Sequence, residues 1–424
     1  MAVDNRKEAR IDHQDADMAK VRSIYENERH KVAHVLDDLN HPLRQQAYLL
    51  PRSLEELQKK RLGFYGLADG ATVFASGWTD YAHSLLGAWY GDEAFLSSLD
   101  IRVKGHIQVQ FRRLEKLRSV ITTSLQPIAS SGEGLPVVTV TPEGIVLRGT
   151  QTFGSDVLFA DELFVFTGQE REAGPSAAAL LPVRSKGLKL LPFGEPNEAF
   201  ASGVQVTYED VLVPWERILN VIDENDRSQL LGPPFVRAIA DYQWVSRQLE
   251  ALELTVGTAF ALAEDTGLSR ELHIQGDLGE SIQQVETLKA FIHAAEIGAE
   301  ASLSGMLLPA AVPLEAARKA GGLFYSQSIK TLRRIGAGTI LGDLSITRSP
   351  EDSLPTLRQL AWQLSGSGDA AKRELHELYA FGDPIAQSAQ LYRHYPAQHL
   401  RQRYSQFWSN PLSKPAYSVE EVQI

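Results

Sequence analysis

The chain has 424 residues, enough for two or three domains or one large multilayer unit. Hydrophobic residues make up 43% and charged residues 22%, with 32 Gly and 20 Pro, which argues against disorder, collagen or coiled coil as a description of the whole. A net charge of −11, from 42 Lys and Arg against 53 Asp and Glu, disfavours nucleic acid and anionic membranes as partners, and zero cysteines exclude disulfides, thiolate nucleophiles, Cys-ligated zinc and iron–sulfur clusters.

The opening MAVDNRKEARIDHQDADMAK is charged, without the apolar core of a signal peptide. No run approaches the ~18 apolar residues of a membrane span, so a cytoplasmic protein is expected.

From residue 14 to about 130, apolar residues recur at three and four, as in Val21, Ile24 and Tyr25, and a mostly helical region is expected. Ser53 with Glu56 three residues later makes a capping box that should start a helix at Leu54. Between about 136 and 225 the pattern changes to period two. PVVTVTPEGIVLRGTQTF reads as strand, Pro-Glu-Gly turn, strand, and LFVFTG, AAALLPV, GLKLLPF and SGVQVTYEDVLVP are further strands of an antiparallel β region. From Pro233 to about 410 long helices return. One runs to Gly267, and IQGDLGESIQQVETLKAFIHAAEIGAEASLSGMLL reads as a second of similar length, so a bundle is expected. The expected units are 1–132, 133–226 and 227–424.

No Walker loop, no G-x-G-x-x-G after a strand, no H-E-x-x-H and no G-x-S-x-G occur. His30 and His34 share a helical spacing but lack a third ligand, so no metal is expected. RRIGAGTILGD, Arg333 to Asp343, reads as a glycine-rich break after a helix, whose backbone N–H groups at Gly336 and Gly338 can approach a phosphate; an ordinary helix end is the plainer reading. Ser155 stands at the foot of a strand, where its hydroxyl can meet a planar heteroaromatic ring, with Asp161 and Glu162 in the turn that follows. Trp78, Tyr81, Trp89 and Tyr90 have the spacing of core aromatics, although a phenol such as Tyr81 near Gly77 can also line a pocket.

Taken in order, YLLPRSLEEL (48 to 57), SGWTDY (76 to 81), TPEGIVLRGTQTFGSDVLFADELFVF (141 to 166), EDVLVPWERIL (209 to 219) and LRQLAWQLSGSGDAAKRELHELYAFGDP (357 to 384) resemble segments of the oxygenase component of the 4-hydroxyphenylacetate 3-hydroxylase family. The resemblance implies an α+β, acyl-CoA dehydrogenase-like fold: an N-terminal helical domain, a central antiparallel β domain and a C-terminal four-helix bundle, assembled as a homodimer or homotetramer. It further implies a monooxygenase. Reduced FAD, supplied by a separate NAD(P)H:flavin reductase, would react with O2 to a C4a-hydroperoxide and deliver one oxygen atom to a small-molecule substrate.

Carried over by resemblance, Ser155 faces the flavin, Gly336, Ala337, Gly338 and Thr339 touch its dinucleotide part, Gln126 lies near the ring, and Tyr81 lines the substrate pocket. Gly77 and Thr123 stand where the family has a pocket arginine and a pocket histidine. Neither can stabilise phenolate by charge, so the expected substrate is larger than a simple phenol, or electron-rich without deprotonation, in secondary metabolism. His83 and His106 are candidates to replace the missing base. The competing readings are an acyl-CoA dehydrogenase-like flavin oxidoreductase, which needs a carboxylate base aimed at a substrate carbon, a role the sequence assigns neither to Glu280 nor to any other acid, and a non-catalytic member.

Overall fold

The computed structural model describes residues 26, 46–65, 81–124, 135–167, 176–192, 203–222, 230–342 and 356–409. The helix expected from Ser53 is present as α1 (Leu54–Tyr65). The Glu56 N–H donates to Ser53 Oγ at 3.1 Å, while the Glu56 carboxylate reaches one residue further out than a capping box requires and accepts from the Arg52 N–H at 2.7 Å. Helices α2 (Tyr81–Gly91), α3 (Glu93–Ser98) and α4 (Ile101–Leu117) follow, the last two capped by Asp92 and Asp100.

Eight strands then build two four-stranded sheets: β1 (Ile121–Thr123), β2 (Val137–Val140), β3 (Gly144–Phe153), β4 (Glu162–Phe166), β5 (Ser176–Pro182), β6 (Leu188–Pro192), β7 (Val204–Pro214) and β8 (Ile218–Ile222). The first sheet has the order β1-β4-β5-β8 and the second β2-β3-β7-β6. The expected hairpin is the β2–β3 pair. One pairing departs from the antiparallel expectation: β1 runs parallel to β4, with Thr123 opposite Phe164, because the chain passes through β2 and β3 of the other sheet before it returns.

Strands of the first sheet are buried on both faces, which is why they read as continuous apolar runs. Phe164, Phe166, Ala178 and Leu180 join the core shared with the helices. Their neighbours Leu163, Val165, Ala177, Ala179 and Leu181 join the core between the sheets. On β7 the inward set changes parity, from Val204, Val206 and Tyr208 to Val211 and Val213. A bulge makes the change: Asp210 has φ 52°, opposite a register shift at Gly149, whose φ is 143°.

The remaining chain is helical. It comprises α5 (Pro234–Asp265), α6 (Leu272–Ile297), α7 (Ala311–Gly342), α8 (Leu357–Ser365), α9 (Gly368–Tyr379), α10 (Pro384–His394) and α11 (Gln398–Ser409). Two expectations need correction. The second long helix stops at Ile297 rather than running to Leu308. Gly298 caps it, and a short hairpin, β9 (Glu300–Ala301) with β10 (Leu307–Leu308), turns at Gly305 with φ 80°. The glycine-rich break at 336–339 is also absent: α7 continues through it to Gly342. Glycine in a helix costs only about 1 kcal/mol against Ala, less than a 32-residue helix gains by packing, so Gly336 and Gly338 do not stop it.

Candidate functional site

The helical residues before the sheets and the first sheet meet where α2 lies against β1. His83 of α2 makes the joint: its Nε2 lies 3.1 Å from the Ile121 N–H and 3.2 Å from the Ser119 carbonyl, accepting from the first in one tautomer and donating to the second in the other. The imidazole is thereby a structural clasp. His106, the other candidate base, has Nδ1 3.1 Å from the Ile218 carbonyl on the sheet edge.

Tyr81, two residues before His83, points away from that joint, as helical geometry requires. It is buried, edge-on to Trp244 and Phe381 with ring centroids 6.5 Å and 5.8 Å away, and its hydroxyl donates to Asp241 Oδ1 at 3.4 Å. Asp241 is also met by Arg318 Nη1 at 3.1 Å and Arg237 Nε at 3.6 Å. Arg237 extends the cluster to Glu315, which His394 Nδ1 approaches at 3.0 Å, and the Arg318 guanidinium lies over Phe381, 4.4 Å from the ring centre. Burial and the charge of Asp241 push the Tyr81 phenol well above its ordinary range, against the pull of the two guanidiniums. Burial likewise raises the Asp241 carboxyl, with the guanidiniums opposing. Tyr81 is therefore a neutral hydrogen-bond donor at physiological pH.

Thr123, at the end of β1, is half-buried, and its Oγ1 donates to the Phe164 carbonyl at 2.7 Å. It sits on the helix-facing side of the sheet, opposite Phe164. Its neighbour Thr122 faces the other way and donates its hydroxyl to Oδ2 of buried Asp156. Asp156 lies in a 3₁₀ turn, Ser155–Leu158, that begins at the expected flavin-facing serine. Burial pushes its carboxyl up to about 7 despite the Thr122 hydroxyl and the backbone N–H groups of 156 and 157. The other oxygen, Oδ1, has no hydrogen-bond partner among the described residues. Ser124 Oγ on the Thr152 carbonyl at 2.7 Å and Gln151 Nε2 on the Phe166 carbonyl at 3.1 Å tie the end of β3 to β1 and β4.

Tyr81 thus lies on α2 on the side away from the joint with β1, Thr123 lies at the end of β1 facing the helices, and the turn that begins at Ser155 meets the other side of β1 through Asp156 and Thr122. Gly77 and Gln126 lie outside the described residues. Gly336, Ala337, Gly338 and Thr339 lie in α7, so their N–H groups belong to the helix ladder and are not offered to a phosphate as a glycine loop would offer them. Trp89 and Tyr90 are core, as their spacing suggested: Trp89 Nε1 donates to the Leu231 carbonyl at 3.2 Å and Tyr90 stacks on Phe111. Glu162 is the first residue of β4 rather than part of a turn, and pairs with Arg113 and Arg217 at 2.6 and 2.9 Å. Among the described residues no three His, Asp or Glu side chains converge as metal ligands, and none of their helices is long and apolar enough to cross a membrane.

Sequence reasoning missed Asp241, Arg237, Arg318 and Asp156. For the first two a signal existed: Arg and Asp at i, i+4 inside an otherwise apolar-periodic helix.

Residues 236–342 and 356–409 match the family described as 4-hydroxyphenylacetate 3-hydroxylase C terminal. The 4-hydroxyphenylacetate 3-monooxygenase oxygenase component of Thermus thermophilus is 26% identical over 419 residues, covering 89% of this chain and 85% of that protein. Among solved structures, the oxygenase component (HpaB) of 4-hydroxyphenylacetate 3-monooxygenase superposes with a TM-score of 0.76 at 22% identity, covering 92% of each chain. Its complex with FAD and 4-hydroxyphenylacetate gives 0.73 at 24% identity, covering 87% of this chain and 85% of that one. The chain is thus similar to the 4-hydroxyphenylacetate 3-hydroxylase oxygenase components and has their acyl-CoA dehydrogenase-like fold.

Proposed function

We propose that the protein is the oxygenase component of a two-component monooxygenase that takes reduced FAD from a separate reductase and transfers one oxygen atom of O2 to an electron-rich small molecule. The observation that carries this reading is the packing of α2, which bears the expected substrate residue Tyr81, against β1, which ends at Thr123, with His83 as the clasp between the two elements. Likeness over nearly the whole chain to a named oxygenase component supports it. The residues fit such a ring: the Ser155 turn is followed by a buried carboxyl with one unpartnered oxygen, a polar demand that no described side chain meets. FAD held there would supply the oxygen-activating chemistry. The chain's own residues would hold the ring at Ser155, exclude water through the apolar core behind Phe164, and position the substrate. Gly336, Ala337, Gly338 and Thr339 would allow close approach of the dinucleotide through their small size.

The substrate is proposed to differ from a simple phenol. Deprotonating a phenol of pKa ~10 near pH 7 needs a cation or a base at its oxygen. Thr123 supplies neither and Tyr81 stays protonated; Arg237 and Arg318 are neutralised by Asp241 and Glu315. An indole, amine, enol or aryl intermediate of secondary metabolism suits this site better. The dehydrogenase reading lacks an assigned carboxylate base, and Glu280 is exposed on α6. We retain the three-unit division at 132/133 and 226/227 and a homo-oligomeric state as parts of the same reading.

The test is anaerobic binding of reduced FAD, followed by turnover with NADH, a general flavin reductase and a panel of phenols, indoles and amines under ¹⁸O₂. Saturable binding at micromolar protein and one labelled oxygen in a product are expected. No binding of either redox form of FAD would overturn the reading in favour of a non-catalytic protein.

A further inference from the structure

One amide in the middle of α5 is fully buried and bonded to nothing. Gln243 is 0% exposed, and neither its Oε1 nor its Nε2 has a hydrogen-bond partner among the described residues. A side-chain amide brings two N–H donors and an oxygen with two lone pairs, and buried groups of this kind are met in the great majority of cases. The next side chain, Trp244, is 2% exposed and has an unmet indole Nε1. Elsewhere in the same two turns the chain does supply partners. The Tyr242 hydroxyl donates to Glu296 at 2.6 Å, Arg247 pairs with Glu377 at 2.6 Å, and Gln248 Nε2 donates to the Arg318 carbonyl at 3.2 Å.

The place of this amide in the fold gives the demand a meaning. Gln243 stands between the two α5 residues that touch Tyr81: Asp241, whose Oδ1 accepts from the phenol at 3.4 Å, and Trp244, edge-on to its ring. One turn earlier on its own helix face are Ile239 and Ala240, which belong to the core that α2 shares with Phe164 of the first sheet, opposite Thr123. One turn later are Ser246 and Arg247. The Ser246 hydroxyl donates back to the Tyr242 carbonyl at 2.7 Å, and Arg247 is held by Glu377. The four neighbours on that face are therefore apolar or already engaged.

We infer that the Gln243 amide recognises the substrate, and that the substrate presents to it a neutral edge with a donor and an acceptor side by side, as in a lactam or a carboxamide. Such an edge returns an N–H to Oε1 and an oxygen to Nε2 in one two-bond pair. A group with only a donor, or only an acceptor, leaves half of the amide buried and unmet, and sites built around a buried polar group reject such analogues strongly. A charged group is disfavoured, because the formal charges nearby are already paired, Asp241 with Arg318 and Arg247 with Glu377. The inference rests on the preceding reading for a small-molecule substrate beside Tyr81, and narrows its class; it owes nothing to the oxygen-transfer step.

Three bicyclic probes of nearly equal size test this: oxindole carries the amide edge, indole only the N–H and 2-indanone only the carbonyl. Each is titrated calorimetrically into the full chain, without flavin and again with saturating reduced FAD under anaerobic conditions. Oxindole is expected to bind at least about tenfold more tightly than either of the others in one of these forms. Gln243→Met keeps the side-chain length and removes both polar atoms, so it should bring the three probes to within about twofold of one another. Because nothing in the chain bonds that amide, the thermal midpoint of the probe-free Met variant should hold or rise, and Gln243→Leu should behave alike. A native protein that prefers oxindole in neither form, or a Met variant that keeps the preference, overturns the inference. Met and Leu variants that both unfold well below the native protein overturn it in favour of an amide held within the chain. Reduced-FAD binding is read in the same samples. A protein that takes reduced FAD and shows no preference loses this inference and keeps the monooxygenase reading; one that shows the Gln243-dependent preference and takes no FAD does the reverse.

Discussion

Strands β4 and β5 of the first sheet and the stretch Val236–Leu252 of helix α5 are buried on every side, yet they are built from opposite materials. β4 and β5 have almost no solvent face and are nearly all apolar, since a ladder strand satisfies its own backbone and its side chains need only fill volume. The α5 stretch is as deeply buried and carries Arg237, Asp241, Gln243, Arg247, Gln248 and Glu250. Arg237, Asp241, Arg247 and Gln248 are met from separate elements, while Gln243 has no side-chain hydrogen bond among the described residues. Asp241 is met by Tyr81 of α2 and Arg318 of α7, Tyr242 by Glu296 of α6 at 2.6 Å, and Arg247 by Glu377 of α9 at 2.6 Å. Burial excludes unpartnered charge, not charge as such. The sheet is held by shape, the helix by pairing, and the two respond differently to the loss of one side chain.

The sharpest break of that comparison is Asp241→Ala. It leaves the buried Arg318 guanidinium without its carboxylate and Arg237 with Glu315 alone, and a loss of about 3–5 kcal/mol is expected, against a broad 2–5 kcal/mol for Leu163→Ala in the sheet, where the cost depends on how far the cavity collapses. Urea unfolding at neutral pH measures both. Asp241→Asn keeps the shape and removes the charge, and should lie nearer to Ala than to the native protein. If it matched the native protein, the ion cluster would be no more than a packing device.

These two regions were not equally legible. Strands 137–153 could be placed because β-branched alternation around Pro-Glu-Gly is a local signal, and α1 because its cap lies next to it. The bundle's polar cluster was only half legible: Arg237 and Asp241 at i, i+4 stand out in an apolar-periodic helix, but the partners that make them a core feature lie 77 and 160 positions from Asp241. Gly336 and Gly338 misled for the same reason in reverse, since local glycine suggests a break that tertiary packing overrides. Tyr81 and Ser155 stood out locally as a pocket phenol and a strand-foot hydroxyl, while Thr123 and the roles given to all three came from resemblance. What surrounds them, His83 as a clasp and Asp156 as a buried acid, follows from contacts between α2, β1 and the turn after β3, none of which has a sequence spacing.

Asp156 is the exception on the sheet side, an ionisable group with a single side-chain partner. Its carboxyl stands at about 7 in the folded chain against an ordinary value of 3.8, so the folded state binds the proton more tightly than the unfolded. Stability should therefore fall as pH rises from about 4 through about 7, with the full penalty present above that range, and Asp156→Asn should flatten this part of the profile. Thr122→Val removes the hydroxyl that favours the charged form. The carboxyl should rise further, the slope should move to higher pH, and about 1–3 kcal/mol should be lost where Asp156 is ionised. Urea midpoints across this pH range decide the matter. A Thr122→Val profile parallel to the native one would show that the hydroxyl packs without bonding.

The smallest effect belongs to the most legible feature. Ser53→Ala removes the acceptor for the Glu56 N–H at the start of α1, on the surface, and about 1 kcal/mol is expected. The loss should stay local. Further along the helix Leu57 is fully buried and Lys60 donates to the carbonyls of Gln46 and Ala47 at 2.9 and 3.0 Å, so the helix remains anchored when its first turn frays. Amide exchange should speed at residues 54–57 and stay unchanged at Lys60, and Ser53→Thr should restore most of the protection. A loss that spread to Lys60 would mean that the cap supports the docking of α1 as a whole, so that a local signal carries a tertiary role of the kind seen at Asp241.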